Sequence, residues 1–370
     1  MGGGKLYGTE EAVVGPAGYQ KGDVKEKFID VGGREVKKYC RVCGERVPGY
    51  YWGTGGRRCV VCLHRTHRRH MASNNRVCRV CSGEELSVAN VPGNFPDRVS
   101  FLHVADIHCS AGETCRRINL INNWLEGEKA DYVLISGDLT GGGSGKEYEL
   151  AAGWLESIER KGGRVAVVPG NHDIGYWGNV RSVGRQVTGR KYDRWIEIVD
   201  RPVEPCLRGP ACVVVGLNSA HGISRAGFVN GYLGRNQRAR AKEVLSVTPP
   251  NFLKVVLLHH PLISFKGSQH SILYGADAAR KELAVAGADI FFWGHQHSFA
   301  AGEFYEGGSR YYAVQSPAFS ARSRDGDGPG FVVVDWVFGS GVTIRCLRVS
   351  DDRIMMEERE KVEYRFKSLS

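Results

Sequence analysis

The chain lacks any run of about eighteen apolar residues, the length a helix needs to cross a bilayer, so no membrane span is expected in its 370 residues. The opening stretch MGGGKLYGTEEAVVGPAGYQKGDVKEK has no apolar core of the kind a secretory leader carries. Leu6 stands where a myristoylation signal places serine or threonine. Acidic side chains are nearly missing from one segment: between residues 34 and 79 only Glu35 and Glu45 oppose twelve lysines and arginines. The rest of the chain is balanced, so this segment holds the whole net charge of +10. A cytoplasmic location is expected, where paired cysteines bind metal more often than they form disulfides. Hydrophobic residues at 42% suffice for a sizeable core.

Six of the eleven cysteines fall in the basic segment, as three Cys-x-x-Cys pairs repeating every nineteen residues: Cys40 and Cys43, Cys59 and Cys62, Cys78 and Cys81. The first two pairs have the spacing of a tetrahedral zinc site built from two knuckles. Gly44 follows Cys43, where a knuckle turns sharply. The third pair has His64, His67 and His70 upstream of it. Two of these, taken as His67 and His70, complete a second site with that pair, or the histidines face solvent on a basic helix. The spacing does not fix which pairs share an ion, so one or two structural zinc ions are expected. Zinc contributes about 10–16 kcal/mol of apparent binding energy, enough to fold a segment with little core. Arg57, Arg58, Arg65, Arg68 and Arg69 offer phosphate contacts, and Tyr39, Tyr50, Tyr51 and Trp52 offer stacking faces. A nucleic-acid partner through residues 34–79 is therefore expected, a solvated tether or a lid being the plainer readings. The segment resembles the small zinc modules attached to HNH-type nucleases of phages and bacteria, although no HNH catalytic pattern follows it.

From residue 99 the chain changes character. Five apolar, strand-like runs each end in polar residues, usually beside glycine. RVSFLHVADIH delivers Asp106 and His108; ADYVLISGDLTGG delivers Asp138; GRVAVVPGNHD delivers Asn171, His172 and Asp173. FLKVVLLHHPL delivers His259 and His260, and ADIFFWGHQH delivers His295 and His297. In an α/β sheet such strand ends converge on one edge, where ligands bind. One Asp-x-His pair is an ordinary surface turn; five polar strand ends in this order are not.

The motifs D-x-H, G-D, G-N-H-D, H-x-P and G-H-x-H, in that order, resemble those of the calcineurin-like metallophosphoesterases over about residues 99–350. The resemblance implies an α/β fold, a four-layer α-β-β-α sandwich with two mixed sheets. It also implies hydrolysis of a phosphoester by a metal-activated hydroxide. Two metal ions about 3.5–4 Å apart lower the pKa of bound water from 15.7 towards about 7 and neutralise phosphoryl oxygens. By this resemblance Asp138 bridges the ions, Asp106, His108 and His297 hold the first, and Asn171, His259 and His295 hold the second. Their mixed oxygen and nitrogen donors suit manganese, iron or zinc. His172 protonates the leaving oxygen, with Asp173 holding its ring. His260 is expected as a wall residue, His103 and Cys109 as packed side chains, and His221 and His270 in loops over the site. A fold kept only as a docking scaffold typically loses ligands, and here all seven are present.

The stretches GLNSAHGISRAGFVNGYLGRNQRARAKEVL and VQSPAFSAR resemble the class III cyclic-nucleotide phosphodiesterases, which implies a phosphodiester substrate, a cyclic or other small nucleotide. The alternative is a nuclease or end-processing enzyme whose zinc module holds the strand. The domain plan is a flexible segment 1–33, a zinc module 34–89, a linker 90–98 broken by Pro92 and Pro96, the hydrolase 99–350 and a charged tail 351–370. The tail alternates charged with apolar residues, a pattern suited to a sheet edge. Oligomeric state is not legible in the sequence.

Overall fold

The computed structural model describes residues 96–110, 113–174, 191–209, 211–222, 231–265, 272–320, 328–350 and 354–365, with four short strands before them. The chain divides into two compact units, Met1–Val91 and Pro92–Ser370. In the first unit β1 (Val14–Gly15) pairs antiparallel with β2 (Tyr19–Gln20), and β3 (Arg57–Arg58) pairs with β4 (Arg65–Thr66). The register sets Arg57 opposite Thr66 and Arg58 opposite Arg65. The expected zinc ligands Cys40, Cys43, Cys59, Cys62, Cys78, Cys81, His67 and His70 lie outside the described residues, as do Arg68, Arg69 and His270.

Two six-stranded mixed sheets build the second unit. In one, β5 (Arg98–Val104), β6 (Tyr132–Ile135) and β7 (Arg164–Val167) run parallel. Antiparallel β14 (Gly330–Val337), β15 (Gly341–Val349) and β16 (Ile354–Arg365) extend it from β5. In the other, β9 (Cys212–Gly216), β10 (Leu253–Leu257), β11 (Ile290–Trp293) and β13 (Ser309–Gln315) run parallel. Antiparallel β8 (Cys206–Arg208) and β12 (Ala300–Glu306) close its edges.

The apolar runs are continuous rather than alternating because the strands are covered on both faces. Phe101, Leu134, Val214, Val255, Phe292, Val314 and Val332 form the layer between the sheets. The neighbouring residues Leu102, Val104, Val133 and Ile135 face the other way, onto α1 (Glu113–Gly127) and α2 (Gly145–Arg160). On the second sheet, α4 (Ala276–Val285) packs on β12 and β13 and against α3 (Arg235–Val247). The expected four-layer sandwich is therefore the observed one. Its sheet runs beyond residue 350, because Ile354–Arg365 forms the twelve-residue edge strand β16 on β15.

The second sheet also buries a charge. Asp289, just before β11, accepts the Lys254 amide hydrogen at 2.8 Å and so ties β11 to β10. Burial pushes its carboxyl up to about 6, against the pull of that hydrogen bond and of the Lys254 ammonium. A folded value above the unfolded one means stability that is full below about pH 4 and lost as pH rises through 6. Asp289→Asn keeps an acceptor for Lys254 and removes this loss. Urea unfolding should find the variant gaining on the parent by up to about 3 kcal/mol between pH 4 and 7.5.

Candidate metal centre

Every motif of the five polar strand ends lies just past the C-terminal end of a parallel strand: β5, β6, β7, β10 or β11. The two sheets thus bring them to one edge. Asp106, His108, Asp138, Asn171, His259, His295 and His297 are all buried there. Five of them take left-handed backbone angles, with φ of 52° at Asp106, 47° at His108, 52° at Asp138, 67° at His295 and 57° at His297. Such angles in residues other than glycine are strained and cluster at functional sites. The strain persists because backbone bonds lock the turns: the amide hydrogens of Asp106 and His108 go to the carbonyls of Gly137 and Asp138 at 3.1 and 2.9 Å.

The glycines of the motifs have a steric reason. A Cβ on Gly170 would sit 2.1 Å from Asp138 Oδ1, and one on Gly294 would sit 2.6 Å from Asp106 Oδ2. One on Gly137, which has φ of 91°, would lie 2.8 Å from His259 Nδ1. The backbone itself forms the wall behind the polar groups.

The donor atoms face one another. His259 Nδ1 lies 2.7 Å from the Ser136 carbonyl oxygen and must donate to it, which turns the lone pair of Nε2 inward. That nitrogen is 3.0 Å from Asn171 Oδ1, 3.1 Å from His295 Nδ1 and 3.6 Å from Asp138 Oδ2. Burial lowers the His259 pKa, so the ring is neutral, and an acceptor meets an acceptor at hydrogen-bond distance. Nearby, His297 Nε2 is 3.2 Å from Asp106 Oδ1, and His108 Nε2 is 3.9 Å from Asp138 Oδ2.

Charge points the same way. Burial raises the Asp138 carboxyl well above the usual range, with Asp106 and Asp173 reinforcing the rise and His172 opposing it. Burial also acts to raise Asp106, but His297, His259 and His108 outweigh it and hold that carboxyl low. Neither acid pairs with a lysine or arginine among the described residues. Asp106, His108 and His297 form one group able to hold a cation, and Asp106, Asp138 and His259 another. Converging lone pairs and uncompensated carboxylates fit bound metal ions.

His172 stands half-buried beside this cluster, its ring 4.6 Å from that of His108. Its amide hydrogen goes to Asp138 Oδ1 at 2.8 Å, and its Nδ1 donates to the Gly141 carbonyl at 2.8 Å. Here the structure corrects an expectation: Asp173 does not hold the His172 ring. The Asp173 carboxylate points into the fold and accepts from the amides of Leu139, Thr140 and Gly170 and from the Thr140 hydroxyl. Three backbone donors within reach outcompete one ring, and the residue pins two site loops together. The Gly141 carbonyl does the work assigned to Asp173, and no side-chain pattern reveals a backbone acceptor in advance.

The remaining histidines separate cleanly. His103 is fully buried, bonds Ser136 Oγ at 2.9 Å, and burial lowers its pKa to about 3. Cys109 is buried, and its amide hydrogen goes to the Leu139 carbonyl at 2.7 Å. His260 lies against His259 and His295, with ring centroids 4.8 and 4.5 Å away, and its Nδ1 is 2.8 Å from Ser219 Oγ. Ser136, Ser219 and Gly141 are the positioning residues that sequence reasoning missed. His221 sits past β9, its Nδ1 3.4 Å from the Tyr192 hydroxyl.

The sequence profile of the calcineurin-like phosphoesterases matches residues 99–299. No curated protein matches the chain. Among solved structures, a dimetal phosphatase of Danio rerio is similar at a TM-score of 0.52 and 12% identity, over 73% of this chain and 99% of that one. The purple acid phosphatase PPD1 of yellow lupin (Lupinus luteus) seeds is similar at 0.50 and 14% identity, over 74% of this chain and 54% of that one. At these identities the likeness concerns the fold.

The wall glycines give a direct test. In Gly170→Ala the new Cβ would meet both Asp138 Oδ1 at 2.1 Å and the Asp138 amide nitrogen at 2.4 Å, so the whole Asp138 turn must shift, and calorimetric titration with manganese should show affinity down by at least tenfold. Unchanged affinity would mean that Asp138 takes no part in holding an ion.

Proposed function

The chain belongs to the calcineurin-like phosphoesterase family, whose activity is metal-dependent phosphoester hydrolysis, and from that premise we propose that it hydrolyses a phosphodiester, a cyclic or other small nucleotide. The observation that supports the metal-dependent part is the close approach of His259 Nε2 and Asn171 Oδ1, two acceptors that a bound cation would reconcile. In this reading Asp106, His108 and His297 hold one ion, and Asn171, His259 and His295 the other. Asp138, whose Oδ2 is 3.9 Å from His108 Nε2 and 3.6 Å from His259 Nε2, would be shared by the two sets. Manganese, iron or zinc suits this donor set. Bound ions supply charge for the phosphoryl oxygens and acidify a water molecule.

The chain's own groups do the rest. Asn171 offers a neutral oxygen, which limits repulsion of an anionic substrate. The Ser136 carbonyl keeps the His259 Nε2 lone pair aimed inward. His172 has Nδ1 donating to Gly141, so Nε2 is the atom that would hand a proton to the leaving oxygen, starting from the ring protonated on both nitrogens and leaving it neutral with Nδ1 still on Gly141. The cyclic-nucleotide assignment rests on the sequence resemblance of the loop that precedes α3. In that helix Gln237 Nε2 donates to the Asn218 carbonyl at 2.8 Å and to Glu204 Oε1, securing the segment that runs to Ser219.

Two substitutions separate binding from chemistry. Asp138→Asn should lose metal and activity together, whereas His172→Ala should keep its metal and slow by on the order of 10²–10⁴. Metal analysis beside kinetics decides; loss of metal from the His172 variant would overturn its assignment.

The second reading, a nuclease guided by the zinc module, is favoured by the charge of residues 34–79 and by the antiparallel pairing of Arg57–Arg58 with Arg65–Thr66. Between those strands in sequence lie Cys59 and Cys62, which with Cys40, Cys43, Cys78, Cys81, His67 and His70 make up the proposed zinc ligands. If the module grips single-stranded DNA through six cations, log affinity should fall with log salt at a slope near −4. Deleting residues 1–90 should abolish that slope and spare turnover of a small diester. A flat slope in the full chain removes this reading.

A further inference from the structure

Beyond the metal cluster, the most unusual surface is aromatic. Tyr232 and Tyr274 come from distant segments, yet they meet through an isolated parallel bridge, with ring centroids 6.3 Å apart. Both are exposed, Tyr274 by 62% and Tyr232 by 37%. The His221 ring lies 6.2 Å from that of Tyr232. An exposed pair of large rings is poorly solvated and has no role in the core, so its position invites a functional reading.

The position is set by the metal-binding strand ends. The Tyr232 amide donates to the Ser219 carbonyl at 3.0 Å, and Ser219 is the residue whose hydroxyl meets His260. The Tyr274 amide donates to the Gly231 carbonyl at 2.7 Å. Gly231 is so close to the His260 ring that an added Cβ would lie 2.3 Å from it. The preceding residue Leu273 bonds the Pro261 carbonyl at 3.0 Å, one residue past His260. The Leu273 bond thus ties Tyr274 directly to the segment that begins with His259, and the other two bonds join the tyrosines to Ser219 and Gly231, both of which lie against His260. Tyr274 also lines an open groove of about 670 Å³ with Leu262, Ile272 and Arg280, ample room for an organic group.

We propose that Tyr232 and Tyr274, flanked by His221, form a stacking platform that receives the base of a nucleotide whose phosphate sits in the metal centre. This deepens, and rests on, the reading of the substrate as a nucleotide. A planar base covers the exposed ring of Tyr274 without needing a specific hydrogen-bond partner, so the platform selects for an aromatic base rather than for one particular base. The Tyr232 ring stays pinned by its backbone and by His221, which reduces the ordering entropy lost on binding.

The test uses the full chain reconstituted with manganese and compares adenosine 5′-monophosphate, ribose 5-phosphate and inorganic phosphate by calorimetry. The intact protein should bind the nucleotide roughly 5- to 100-fold more tightly than ribose 5-phosphate, the range expected of one stacked base. Tyr274→Ala should erase most of that preference and leave the affinities for ribose 5-phosphate and phosphate unchanged; Tyr274→Phe should retain it. Tyr232→Ala should behave like Tyr274→Ala, and the more exposed Tyr274 serves alone if the Tyr232 variant misfolds. Equal affinity for the nucleotide and ribose 5-phosphate in the intact protein overturns the platform, as does a Tyr274→Ala variant that weakens all three ligands alike. The hydrolytic reading fails separately: a base preference without hydrolysis of any phosphodiester keeps the platform and removes the activity. Phosphodiester hydrolysis with no base preference does the reverse.

Discussion

Two buried carboxylates, Asp106 and Asp138, share one edge of the sandwich with no lysine or arginine to meet them among the described residues. The arrangement of that edge follows from this charge. Histidines surround the acids because a neutral imidazole can turn a lone pair inward while its other nitrogen is tied to the backbone, as His259 is to Ser136. An Asn171 oxygen 3.0 Å from a neutral imidazole nitrogen suits a cation held by both. The site is therefore preorganised for positive charge before any substrate arrives.

Holding such a cluster takes strained backbone, and the sandwich provides the rigidity. Left-handed angles at Asp106, His108, Asp138, His295 and His297 persist because each turn starts from a strand buried on both faces. Glycines 137, 170 and 294 let neighbouring loops close to within contact of the ligand groups. Asp173 adds a four-donor anchor between the loops after β6 and β7. Adjacent residues thus turn opposite ways: His172 stands beside the polar cluster, and Asp173 faces the fold.

The rim follows the same economy of connection. Ser219, His260 and Gly231 make a chain of contacts that carries the position of the metal-binding strand end outward to Tyr232 and Tyr274. A base on those rings would be held by the elements that hold the phosphate, so recognition and hydrolysis would share one scaffold.

The five polar strand ends were legible in the sequence because a strand buried on both faces reads as an unbroken apolar run, and a charged or amide group at its end stands out. The same signal carried the fold class, the seven candidate ligands, His172, and the packed character of His103 and Cys109. Local sequence could not say which group holds the His172 ring, since every residue has a carbonyl and only the folded loop selects Gly141. Nor could it show that Asp173 would turn inward, because four donors from Leu139, Thr140 and Gly170 converge on it only after two loops meet. The pairing of Tyr232 with Tyr274 is likewise tertiary: 42 positions separate them in the chain, and a single parallel bridge brings them together. Local pattern determined what each strand end carries; the crossing of chain segments decided which groups touch.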